Sequence, residues 1–373
     1  MSRFRSRYRA GDRVEVKSRE EILATLDHEG ALDKLPFMPE MLRYCGERLT
    51  VVASAHKTCD TVNKTGGRRM HDAVHLEGLR CDGSAHGGCQ ARCLFFWKEA
   101  WLKPAGSGMP DRPRSSAPSR EPPAHRCDAD GLVRATTVPG STTDDKTFVC
   151  QATRLYAATT PLPRWTVRQY IADVSSRNVA PLEAAKVLFL ALVFHLRAFQ
   201  HGYRLTRWLY DRAHRALRGR PGPYGNGLVP PGEKTPRQTL DLQVGELVRV
   251  KSHAEILATV DGRNRNRGLS FDKEMVRYCG EELRVGARVE RIIDESTGKM
   301  LHLPTPSIIL EGAYCTSQYS ERRLLCPRKI VPYWREIWLE RLKSPGGLPE
   351  VAQASPRESA PSCPAAPAQR LRA

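Results

Sequence analysis

Residues 11–47 read GDRVEVKSREEILATLDHEGALDKLPFMPEMLRYCGE, and residues 245–281 read GELVRVKSHAEILATVDGRNRNRGLSFDKEMVRYCGE. The two align without a gap with about half of their positions identical, so the chain carries one unit twice. The match then continues more loosely. Cys59 falls opposite Ile293, Met70 opposite Met300, residues 76–78 (Leu-Glu-Gly) opposite 310–312, Cys81 opposite Cys315, Cys89 opposite Cys326, and residues 97–102 opposite 334–339.

Inside each copy the pattern is mostly strand. Val14 and Val16 alternate with charged neighbours, and Leu49, Val51 and Val52, or Leu283, Val285 and Val289 in the second copy, form another β-prone run. Ser18 with Glu21, and Ser252 with Glu255, have the spacing of a capping box, which predicts a short helix over 18–26 and its equivalent. Tryptophans at i and i+4, Trp97/Trp101 and Trp334/Trp338, suit a closing helical turn. The Gly-Asp-x-Val-x-Val opening followed by short strands resembles the start of an SH3-like or KOW-like small barrel. That resemblance is to a fold and implies no function.

Stretches rich in Pro, Gly and Ser mark the seams. They divide the chain into a basic arm (1–10), the first repeat (11–103), a linker (104–125), a middle domain (126–218), a second linker (219–244), the second repeat (245–343) and a tail (344–373). The second half of the middle domain reads as helix: residues 182–199 are apolar at their centre, and Leu205, Trp208, Leu209, Ala213, Ala216 and Leu217 recur at spacings of 3 and 4. The fold class expected is therefore α+β, with two small β-barrel modules flanking a mainly helical domain and with disordered linkers and tail.

The 373 residues carry a formal charge of +18, and its distribution is uneven. Residues 11–103 hold 14 basic and 14 acidic groups, residues 245–343 hold 18 and 14, and residues 126–220 hold 15 and 7. The excess thus sits in the middle domain and the arm. Arg204, Arg207, Arg215 and Arg218 fall near one side of the last helix, a weak anion-binding pattern suited to an acidic macromolecule or protein partner; a solvated face is the ordinary alternative. No apolar run approaches the roughly 20 residues needed to span a bilayer, so integral membrane association is not expected. The basic start lacks the apolar segment of a secretory signal, which points to a reducing, cytoplasmic setting where cysteines serve as thiols or metal ligands.

The densest chemistry lies late in the first repeat: Cys59, His75, Cys81, His86, Cys89 and Cys93, with C-x4-H-x2-C-x3-C as its core. Thiolates and imidazoles so close in sequence can converge on a borderline cation, Zn²⁺ first and iron second. Copy comparison sharpens the set. Cys59, His75 and Cys93 stand opposite Ile293, Ile309 and Ile330, so these positions are expected to point inward, with a metal site in one copy replaced by apolar packing in the other. Cys81 and Cys89 have cysteine partners and could serve the fold in both copies; a buried free thiol is the ordinary role for Cys45, Cys279 and Cys150. Glu77 and Glu311 recur in an apolar setting, where a buried carboxylate suits a fold role better than a general base.

No Gly-x-Gly-x-x-Gly, P-loop, H-E-x-x-H, G-x-S-x-G or kinase motif set occurs, and no catalytic residues are assigned. The function expected is a cytoplasmic metal-binding tandem-barrel protein, a binding or scaffold module with a structural or regulatory site in the first repeat. The alternatives are a metal-dependent enzyme, hydrolytic or oxidative, at that site, and a nucleic-acid binder acting through the basic middle domain.

Overall fold

In a computed structural model, the described residues are 6–105, 128–140, 146–198, 203–320 and 322–342; the side chains of 195–198 and 203–207 lie outside that set. The fold is mixed helix and sheet, with several sheets including a half-barrel.

The two copies repeat down to single contacts. Strand Arg13–Val16 pairs antiparallel with Arg48–Ser54, placing Val14 opposite Leu49, and strand Leu247–Val250 pairs with Glu282–Ile293, placing Val248 opposite Leu283. The other edge of each opening strand is covered by the strand after the paired tryptophans, Leu102–Pro104 or Leu339–Arg341. Both capping boxes form, on Arg19–Leu23 and His253–Leu257. Trp101 Nε1–H donates to Thr25 Oγ1 at 3.1 Å, and Trp338 Nε1–H to Thr259 Oγ1 at 3.0 Å. Phe37 stands edge-on to Trp97 and Trp101, as Phe271 does to Trp334 and Trp338. These four tryptophans are fully buried, and with rings that each bury 150–250 Å² they anchor both cores.

Each unit begins earlier than the sequence identity does. Tyr8 and Leu242 are both core residues. The segments leading to them are held by equivalent carboxylates: Glu99 accepts from Ser6 Oγ and from Arg7 N–H, and Glu336 accepts from the N–H groups of Leu240, Asp241 and Leu242. Residues 219–244, expected as a disordered linker, are fixed against the second repeat. Gly227 N–H donates to Asn264 Oδ1, Asn266 Nδ2 to the Pro236 carbonyl, and Val229 bridges to Asp261. Their Pro and Gly content sets an extended path rather than freedom from contact.

The copies differ at the hairpin after the second strand. In the second repeat it is continuous, Glu282–Ile293 with Met300–Leu310; in the first it breaks into Arg48–Ser54, Lys57–Cys59, Gly67–Arg69 and Ala73–Leu76. The displaced tip, Lys57–Cys59 and Gly67–Arg69, forms a sheet with Thr160–Leu162 from the middle of the chain. Lys57 Nζ donates to Asp173 Oδ2 at 2.5 Å and to the Leu324 carbonyl at 2.9 Å, and His56 Nε2 lies 3.1 Å from Asp173 Oδ1. Burial lowers the Lys57 pKa despite the attraction of Asp173.

The middle segment is mainly helical: Ala129–Arg134, Gln151–Arg154, Arg168–Ser175, Pro181–Ala198 and Tyr203–Arg218. Its first part enters the core of the first repeat through Leu132, Cys150, Leu155 and Ala158. Gln151 fixes that junction, accepting from Phe96 N–H and donating to the Pro36 and Phe96 carbonyls. Helix Pro181–Ala198 packs through Ala184 and Val187 on Leu324 and Leu325 of the second repeat. The last helix departs from its expected inward stripe. Trp208 and Leu209 are exposed, and the buried side is Tyr210 and His214, because His214 Nε2 meets Tyr319 Oη at 2.9 Å and Nδ1 lies 2.6 Å from the Arg220 carbonyl. Among the described residues, no helix is long and apolar enough to cross a membrane.

Candidate metal centre

Residues 81–93 form a loop tied at its base, where Cys81 N–H donates to the Cys93 carbonyl at 2.8 Å. The equivalent bond in the second repeat joins Cys315 to Ile330, so the two loops share a frame. Gly83 has φ +77°, and a Cβ there would lie 2.1 Å from the Cys89 carbonyl oxygen; only glycine lets this strand of the loop cross so closely. Gly83 also accepts from His86 N–H and Gly88 N–H, which folds the loop back and turns His86 inward.

Glu40, Cys81 and His86 are buried and bring one potential donor atom each within 4.8 Å of one another, a group that could hold a metal ion. The arrangement is directional. Cys81 Sγ lies 3.3 Å from His86 Nε2, while His86 Nδ1 lies 3.1 Å from Glu40 Oε1. The ring therefore offers one nitrogen to the thiol side and the other to a carboxylate. Burial alone raises the Glu40 carboxyl, but the His86 ring and the N–H groups of Glu40 and Ala85 outweigh it and the net shift is downward. Glu40 is thus held toward its charged form beside the imidazole.

Cys81, His86, Cys89, Cys93 and Cys150 line one cavity of about 30 Å³, which Met38 and Phe95 and, from the second repeat, Ile293 and Glu295 also line. Ile293 N–H donates to Cys89 Sγ at 3.3 Å, the kind of contact that steadies a charged sulfur. Burial pushes Cys93 up to about 12 and Cys150 up to about 11, and Cys81 in the same direction. At neutral pH these groups are thiols unless a cation neutralises the sulfur.

The other sequence candidates lie elsewhere. Cys59, at the tip of the broken hairpin, sits against Cys326 and lines a different cavity. His75 is buried beside Phe96 with Nδ1 2.8 Å from the Phe95 carbonyl, outside the Glu40–Cys81–His86 group. Arg218 is spent on an ion pair with Glu183 at 2.5 Å, Arg215 is exposed, and the Arg204 and Arg207 side chains lie outside the described residues. Glu77 and Glu311 are exposed in turns, not buried. Sequence reasoning missed Glu40. Its signal was there: Glu40 and Glu274 recur within the aligned block, and Glu274 grips the equivalent loop by accepting from Thr316 Oγ1 and Tyr319 N–H.

His75 gives a pH prediction. Burial, with the charges of Arg80, Arg328 and Lys329, lowers its pKa to about 4 against the bond to Phe95. The unfolded chain, with an imidazole near 6.5, binds the proton first as pH falls. Stability is therefore complete above about pH 6.5 and declines toward pH 4, by about 3 kcal/mol from this residue. Denaturant titrations of the wild type and His75→Asn should differ in slope across that window; parallel curves would assign the acid sensitivity elsewhere.

No protein-family model, no curated protein and no solved structure matches this chain.

Proposed function

We propose that this chain is a cytoplasmic zinc-binding scaffold of two SH3-like or KOW-like modules, in which Cys81, His86, Cys89 and Cys93 hold a structural zinc in the first. The observation that carries the proposal is that Cys81 and His86, backed by Glu40, bring their donor atoms within 4.8 Å of one another, while Cys89 and Cys93 line the same cavity. A cavity near 30 Å³ has room for one ion or one water and none for a substrate. Three sulfurs and one nitrogen suit tetrahedral zinc better than iron, and a closed site is what a structural metal requires. Cys81, His86 and Glu40 also have the order of a nucleophile, base and orienting acid, but a raised thiol pKa and the lack of room for a substrate weigh against catalysis there. Exposed Trp208, Leu209 and Arg215 on the last helix offer an apolar and cationic surface to an acidic partner, in keeping with a scaffold role.

Glu40→Gln tests the site without touching a ligand. It keeps the shape but removes the charge behind His86, and zinc affinity measured by competition with a chromophoric chelator should fall about 10–100-fold. An unchanged affinity would remove Glu40, and with it the oriented histidine, from the site.

A further inference from the structure

A second thiol cluster lies apart from the proposed zinc ligands. Cys59 of the first repeat and Cys326 of the second line one cavity at the junction between the copies. Their cavity, about 240 Å³ and open on one side, is also lined by Cys315, Arg323, Arg328 and Tyr314. Arg328 is buried and held by Glu295, which accepts from Nη2 at 2.9 Å, and its Nη1 donates to Thr61 Oγ1 at 3.2 Å and lies 3.9 Å from Cys59 Sγ. Two guanidinium groups at one cavity disfavour a metal cation and favour an anion, here a thiolate. The neighbouring Cys326 thiol, with Arg328 and Arg323, lowers the Cys59 pKa in spite of burial; Cys326 shifts upward in return. An activated sulfur beside a protonated one is the arrangement of an attacking and a resolving cysteine.

We propose that Cys59 and Cys326 form a redox-active pair that a small hydroperoxide oxidises to a disulfide joining the two repeats. The Cys59 sulfur attacks the terminal oxygen of the hydroperoxide and the O–O bond breaks. The alcohol, or water from hydrogen peroxide, leaves with the proton that the Cys59 thiol gave up, and Cys59 becomes a sulfenic acid. Cys326 then attacks that sulfur; the S–S bond forms, the S–OH bond breaks, and water leaves with the Cys326 proton. Two thiols lose two electrons and one hydroperoxide gains them. The open side of the cavity admits a small oxidant, whereas Cys59 itself is only 3% exposed and shielded from larger reagents. The pair draws no residue from the proposed zinc ligands.

The test uses the reduced full chain as purified, one equivalent of hydrogen peroxide, alkylation with N-ethylmaleimide, and peptide mapping without reductant. Half-buried Cys45, whose thiol burial raises, is the internal comparator. The Cys59-to-Cys326 linked peptide should be the main product and should form roughly ten times faster than oxidation of Cys45. In Cys326→Ser, dimedone should trap the sulfenic acid at Cys59. Alkylatable Cys59 alongside oxidised Cys45, or a disulfide joining Cys59 to another cysteine, would overturn the proposal from the wild-type chain alone.

Discussion

Asp173→Asn is expected to cost about 3–5 kcal/mol of folding stability, more than a typical core truncation of one or two methyl groups. Asp173 is fully buried, and its two oxygens face Lys57 at 2.5 Å and His56 at 3.1 Å. Lys57 is 3% exposed and has no water to fall back on. Neutralising Asp173 leaves that ammonium only uncharged partners, the Leu324 carbonyl, the Tyr170 ring and the new amide oxygen, and the cost is an uncompensated buried charge rather than one lost bond. A well-packed apolar replacement of both partners of a buried ion pair is often neutral. Lys57→Met combined with Asp173→Leu should therefore recover most of the loss in denaturant unfolding. A single variant as stable as the wild type would mean that the hairpin tip and the helix Arg168–Ser175 do not meet as described.

Zinc removal should produce the second large effect, confined to one repeat. At free zinc 1,000-fold above its dissociation constant, a site that exists only in the folded state contributes about 4 kcal/mol. Chelation, or Cys89→Ser, should withdraw that amount. The change should be local, because the first repeat keeps its own core of Phe37, Trp97 and Trp101. Hydrogen exchange is expected to accelerate across residues 81–93 and to stay unchanged across residues 315–326, where Glu274 holds the loop through Thr316 and Tyr319 without a histidine. Equal acceleration in both loops would indicate general loosening rather than loss of a metal.

The parts of this fold that were legible in sequence are those fixed by short-range rules. The capping boxes at Ser18 and Ser252, the alternation at Val14 and Val16 and the tryptophan pairs each depend on residues a few positions apart, and all form as read. What escaped depends on partners far along the chain. Tyr8 and Leu242 occupy equivalent core positions with no shared identity, because a core position needs apolar volume rather than one residue type. The last helix turns Tyr210 and His214 inward against hydrophobic periodicity because Tyr319, from the second repeat, supplies a polar partner there.

The candidate site divides in the same way. C-x4-H-x2-C-x3-C is local, and its thiols and His86 do line one cavity. Cys59 and His75 were grouped with it because both stand opposite isoleucine. That comparison reports burial but not direction, and the broken hairpin carries Cys59 to the second repeat instead. Glu40 was passed over because its role needs the loop at 81–93 folded back onto residues 39–44.

Metal content of the purified full-length chain tests the central claim most directly. Elemental analysis should find one zinc per chain in the wild type and in Cys59→Ala, and almost none in Cys89→Ser. A metal-free wild type whose Cys81, Cys89 and Cys93 alkylate at the same rate with and without added zinc would contradict the account.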